Sequence, residues 1–90
     1  MEISDLLKNE MKVYIDVYEK HSKDGMITPI GFVWEDGRKY AVDRVLEITK
    51  AASLKAGGAG LRYTVRIGNV LKFMFLEEEA GLRRWFMSRK

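Results

Sequence analysis

Residues 29–42 read Pro-Ile-Gly-Phe-Val-Trp-Glu-Asp-Gly-Arg-Lys-Tyr-Ala-Val, and the turn inside them decides the fold. Two β-branched and aromatic runs flank Asp36-Gly37, the pattern of a hairpin. A two-residue turn would pair Phe32 with Ala41 and Ile30 with Asp43, setting an aspartate beside the core face. A three-residue loop, Glu35-Asp36-Gly37 with Gly37 left-handed in a bulge, instead pairs Phe32 with Tyr40 and Ile30 with Val42. The second register keeps one face apolar, and a slip of one residue would invert it. The bulged hairpin is the expected one. It sets Trp34 opposite Arg38, a cation–π pair worth about 0.5–1 kcal/mol if exposed.

Working outward, further turn signals cut residues 12–90 into six β-like runs. They are Lys23-Asp24-Gly25, Asp36-Gly37, Gly57-Gly58-Ala59-Gly60, Gly68-Asn69 and Ala80-Gly81. Short connections rule out parallel crossovers, which need about a dozen residues. The expected fold is mainly β, a six-stranded antiparallel meander closed as a small SH3-like barrel. Residues 12–90 form its single domain, and residues 1–11 a short N-terminal helix or tail. Ile3, Leu6, Leu7 and Met11 have helical spacing, with Ser4 or Asp5 as a cap. The helical pattern runs on through Tyr14, Ile15 and Tyr18. The alternation of Val13, Ile15 and Val17 favours a strand from Lys12. Met11 also offers an internal start.

The third run alternates Tyr40, Val42, Leu46 and Ile48, with Arg44 marking a bend or a sheet edge. Residues 51–60 lack aromatic and β-branched side chains and read as a loop. At the last turn, a three-residue loop Glu79-Ala80-Gly81 pairs Phe75 with Trp85 and Phe73 with Met87, which are then core. The opposite face of that hairpin carries Met74, Leu76 and Phe86, an apolar patch that needs a cover, either the N-terminal segment or a second subunit.

The composition limits the chemistry. The 90 residues include no cysteine and one histidine, His21, which excludes disulfides, thiolate sites and a multi-His metal centre. No metal or other cofactor is expected. No uncharged run is long enough to cross a bilayer, and the acidic first residues lack the form of a signal peptide. A cytoplasmic location and no membrane partner are expected. His21 is a poor base, and Ser22, Ser53 and Ser88 sit in no nucleophile motif. Glu77-Glu78-Glu79 cannot converge on one ion from a strand, and reads as a partner for Arg83 and Arg84. No enzyme signature is present.

Charge is uneven. Residues 1–37 hold four basic and eight acidic residues, and residues 38–90 hold twelve basic and five acidic. A basic C-terminal half attracts polyanions. With Leu61, Tyr63, Val65 and Ile67 turned inward, Arg62 and Arg66 project together, about 7 Å apart at ~3.4 Å per residue. Lys72 on the next strand and Lys55 from the loop complete a candidate nucleic-acid face of Lys55, Arg62, Arg66 and Lys72. An exposed aromatic platform on that face cannot be assigned from the sequence. The Gly-rich Lys55–Gly60 segment could cradle a phosphate, but lacks the P-loop ending and a following helix.

The run 29–40, then Val42-Asp43-Arg44-Val45-Leu46 and Arg62-Tyr63-Thr64-Val65, resembles a family of small bacterial, Firmicutes-type β-barrel proteins of unknown function. The resemblance covers residues 12–90. It implies a β fold, and carries no catalytic residues.

Two functions follow as expectations. One is a non-enzymatic binding module that contacts nucleic acid through a basic sheet face. The alternative is a protein–protein or homodimerisation module using Met74, Leu76 and Phe86. A phosphate or small-molecule binder built on the Gly-rich loop comes third.

Overall fold

A computed structural model describes residues 12–50 and 59–89. The strands are β1 (Lys12–His21), β2 (Ile27–Val33), β3 (Lys39–Ala41), β4 (Arg44–Lys50), β5 (Ala59–Ile67), β6 (Val70–Glu79) and β7 (Leu82–Ser88). Every regular element among the described residues is a strand. All pairings are antiparallel, and one sheet runs β3-β2-β1-β7-β6-β5-β4. The strand from Lys12 is therefore present. The expected helix or tail at 1–11 lies outside the described residues.

The hairpin at Glu35-Asp36-Gly37 forms in the bulged register. Phe32 lies opposite Tyr40, and the Trp34 N–H donates to the Arg38 carbonyl at 2.8 Å. Gly37 takes φ +87°, a conformation that a Cβ would strain. The Trp34–Arg38 cation–π pair does not form. The Arg38 Nε lies 3.6 Å from Asp36 Oδ2, and Trp34 packs against the core.

Ile30, expected in the core, is 50% exposed. The cause is a second bulge: Tyr18 pairs with Gly31 but Glu19 pairs with Pro29, which leaves Ile30 as the extra residue. Pro29 has no N–H to give a ladder, and such residues are confined to edges and bulges.

The expected closed, six-stranded barrel is not what forms. The third run breaks into two strands at Val42-Asp43, giving seven strands among the described residues and an open half-barrel. The Val42 N–H donates to the Ile30 carbonyl at 3.0 Å, and the next N–H, of Asp43, donates to the Arg66 carbonyl at 2.9 Å. Adjacent residues thus bond to opposite ends of the sheet. The chain steps from one edge strand to the other, and β3 and β4 share no ladder. The Asp43 carboxylate also accepts from the Gly68 N–H, which ties this bend to the β5–β6 turn.

The β6–β7 register also differs from expectation. The turn has two residues, Ala80-Gly81, and Leu76 faces Trp85 while Phe75 faces Phe86. Both turn residues take positive φ, +50° at Ala80 and +81° at Gly81, as a type I′ turn requires. Met74 and Leu76 therefore point inward at 0% and 6% exposure, and Phe73 and Phe75 point out. Within the core, Met74, Leu76, Trp85 and Met87 pack with Phe32, Tyr63 and Val65. Of the expected outer patch, Phe86 alone remains on the outer face.

Two polar contacts anchor the aromatic part of this core. The Tyr63 hydroxyl donates to the Ile27 carbonyl at 2.7 Å, and its ring centroid lies 5.0 Å from that of Trp85. Trp85 Nε1 donates to Glu19 Oε2 at 2.8 Å. Neither buried aromatic leaves its polar end unpaired, as burial demands.

Ala80 is a side chain in a left-handed turn position, where a Cβ costs about 1–2 kcal/mol. Asn-Gly is the favoured type I′ pair. Ala80→Asn should therefore stabilise the fold by about 1 kcal/mol, read as a higher urea midpoint at unchanged slope. A lowered midpoint would contradict the turn.

Candidate nucleic-acid interface

The inner face of the sheet is the core, so the outer face is what the protein presents. On β5 the apolar alternation turns Tyr63 and Val65 inward and leaves Arg62, Thr64 and Arg66 outward. Pairing carries the outer face across the sheet. Arg62, Thr64 and Arg66 lie opposite Phe75, Phe73 and Leu71 of β6. Phe75 and Glu77 lie opposite Phe86 and Arg84 of β7, and Phe86 lies opposite Tyr14 of β1. On the other side, Arg66 faces Arg44 of β4.

A row of aromatic rings therefore crosses three adjacent strands. Tyr14 meets Phe86 edge-on at 5.8 Å, and Phe86 stacks on Phe75 at 4.9 Å. Phe73 continues the row at 6.4 Å from Phe75. Tyr14 and Phe73 are 44% and 49% exposed, so ring surface is open to a ligand. This is the platform that alternation alone could not assign.

Cations flank the row. The Arg62 guanidinium sits 4.7 Å from the Phe73 centroid, Arg84 4.4 Å from that of Tyr14, and Lys12 4.3 Å from that of Phe86. Such contacts hold a cation near a ring while leaving its charge available. The Nε of Arg62 is buried without a hydrogen-bond partner.

One carboxylate lies among these cations. Glu77 Oε1 accepts from Arg84 Nη2 at 3.0 Å, Oε2 accepts from Lys12 Nζ at 3.3 Å, and the Tyr14 hydroxyl reaches both oxygens at 3.3 Å. Burial pushes the Glu77 pKa up. The hydrogen bond and charge of Lys12, with the Arg84 and Tyr14 hydrogen bonds, outweigh it and hold the group below 4.5. Within the Glu77–Glu79 run, Glu77 thus makes the expected pairing with Arg84. Arg83 turns instead to Glu19 Oε1 at 3.0 Å.

The residues expected from the sequence thus separate. Arg62 and Arg66 stand on the outer face as expected. Lys72 does not, because it lies directly opposite Val65 and so belongs to the inner side. There it borders an open cleft of about 460 Å³ at one end of the half-barrel, lined by Phe32, Trp34, Tyr40 and Met87 among others. Lys55 and the rest of 51–58 lie outside the described residues, and Ala59 and Gly60 of the expected loop belong to β5. Met74 and Leu76 are core. Lys12, Tyr14, Phe73, Phe75, Glu77 and Arg84 do not stand out in the sequence as site residues. Their alternation with buried neighbours is the available signal, obscured where both faces are apolar.

Glu19 is equally inconspicuous in the sequence. It gathers Trp85, Arg83 and, at 3.4 Å, the Nε2 of His21. Burial raises its pKa, but the Trp85 and His21 hydrogen bonds and the Arg83 charge prevail and lower it from 4.5. Burial, and then the charge of Glu19, push the Tyr63 hydroxyl pKa up.

Among the described residues no group of three or more acidic or histidine side chains could hold a metal ion, and no helix is long and apolar enough to cross a membrane. No known protein family matches the chain, and neither a curated protein nor a solved structure shows significant similarity to it.

Glu19 and Glu77 both have folded-state pKa values below the ordinary 4.5. The stability they contribute is present above that value and is lost as pH falls through the lower folded values. The urea midpoint should decline below about pH 4.5, and Glu19→Gln with Glu77→Gln should flatten that decline. An equally steep decline in the double variant would contradict the assignment.

Proposed function

We propose that the chain is a non-catalytic binding module that takes single-stranded nucleic acid on its outer sheet face. The observation that carries this reading is the aromatic row Tyr14–Phe86–Phe75–Phe73 with Arg62, Arg84 and Lys12 against its rings. Sequence-tolerant strand binding needs two things on one surface: ring faces on which bases stack, and cations that follow the phosphates. This face offers both. Duplex is the poorer ligand, because its bases are stacked on each other and not available to the rings. The +7 balance of residues 38–90 agrees with a polyanionic partner.

A second reading uses the same surface for self-association. Leu71 is exposed beside Phe73, an exposed end of the aromatic row, and such a patch suits a copy of the chain as well as a base. It replaces the Met74–Leu76–Phe86 patch, two of whose members are core.

Fluorescence anisotropy with labelled single- and double-stranded DNA and RNA, titrated with salt, tests the first reading. Single strands should bind more tightly than duplex. Phe73→Ala should cost about 1–3 kcal/mol of binding, the usual worth of a stacked base. Arg62→Ala with Arg66→Ala should flatten the log–log salt slope by about 0.7 per phosphate lost. No binding at about 50 mM salt, where phosphate contacts are strong, would overturn the reading. Light scattering at high micromolar concentration then tests the second. A dimer that Phe86→Glu dissociates would establish it, and a monomer would remove it.

A further inference from the structure

Three donors from two strands converge on one carboxylate of the outer face, near the β6–β7 turn. Lys12 and Tyr14 come from β1 and Arg84 from β7, and all three hydrogen-bond Glu77 of β6. Two cations thus serve one anion, and the cluster keeps a net charge of +1. Lys12 and Arg84 are also held in place by the Tyr14 and Phe86 rings, independently of the carboxylate. An ammonium, a guanidinium and a hydroxyl aimed at one point form a donor set that fits an oxyanion, and a phosphodiester carries the same single charge as a carboxylate.

We propose that Lys12, Tyr14 and Arg84 form the seat for a backbone phosphate of the bound strand, and that the Glu77 side chain fills this seat in the free protein and leaves it on binding. The seat rests on the single-strand reading and is where that strand is gripped. It adjoins the Phe75–Phe86 stack, so a phosphate there places the attached nucleotide over the aromatic row. Glu77 makes the site selective, since a ligand must supply an anion good enough to replace it.

The test compares Glu77→Gln with Glu47→Gln. Glu47 lies opposite Thr64 on the same outer face and is exposed, so both variants remove one negative charge from that face. Glu77→Gln should tighten single-strand binding about threefold or more at low salt, and Glu47→Gln less, because only the first removes the anion that competes for the seat. In a Lys12→Gln, Arg84→Gln background the gain from Glu77→Gln should shrink to that from Glu47→Gln. Equal gains from the two variants in the otherwise native protein would overturn the seat while leaving the binding reading intact.

A second readout decides the seat even if the wild-type protein binds no strand. Inorganic phosphate, at ionic strength matched with chloride, should raise the melting temperature of Glu77→Gln more than that of the wild type, since ligand bound to the native state stabilises it. It should do so much less for the triple variant that also lacks Lys12 and Arg84. Equal phosphate effects in all three proteins would contradict the proposal. Thermal unfolding without phosphate confirms that each variant is folded.

Discussion

The register of the β6–β7 hairpin assigns the two faces of the sheet, and most of the molecule follows from it. The type I′ turn at Ala80-Gly81 pairs Leu76 with Trp85 and Phe75 with Phe86. Met74, Leu76, Trp85 and Met87 then fill the inside, and the phenylalanines go out. Because side chains alternate, a slip of one residue would exchange the two sets. β1 pairs with β7, so the same register brings Tyr14 beside Phe86 and Lys12 beside Glu77. Core and candidate interface are two consequences of one turn.

The rest of the fold keeps the curved sheet in shape. At one end, Glu19 holds Trp85 and Arg83, and Tyr63 reaches across to the Ile27 carbonyl. At the other, Val42 and Asp43 bond to opposite edges of the sheet, so the covalent chain joins what no ladder joins. That leaves the half-barrel open beside Trp34, Tyr40 and Lys72, a cleft instead of the filled interior that a closed barrel of this size would have. The outer face, by contrast, is one continuous ladder from β1 to β5, which places its aromatic rings at fixed spacing.

Legibility in the sequence follows how different the two faces of each strand are. β5 alternates apolar with Arg and Thr, and its inward Tyr63 and Val65 and outward Arg62 and Arg66 are readable directly. The Glu35–Gly37 loop is readable because the wrong register would put Asp43 beside the core. β6 and β7 are apolar on both faces, so alternation leaves their register undecided. Ala80 also conceals a turn that Asn would have announced. Lys72 is misplaced by the assumption that a cation on β6 joins those on β5. Its partner is the inward Val65. Ile30 is lost to a bulge in the pairing of β2 with β1, between Tyr18 and Glu19, which the alternation within residues 27–33 does not carry. The Glu77 cluster joins Lys12 to a residue 65 positions away, and only the β1–β7–β6 order brings them together.

The proposed function depends on which face of the sheet meets the ligand. Ring-proton NMR spectra recorded while an unlabelled single-stranded oligonucleotide is added test this most directly, because stacked bases shift the resonances of the rings they cover. The predicted result is progressive shifts at Tyr14, Phe73, Phe75 and Phe86, with Trp34 and Tyr40 of the inner cleft unmoved. Shifts confined to Trp34 and Tyr40, with the outer rings unchanged, would contradict the outer-face assignment and move the binding site to the open end of the half-barrel.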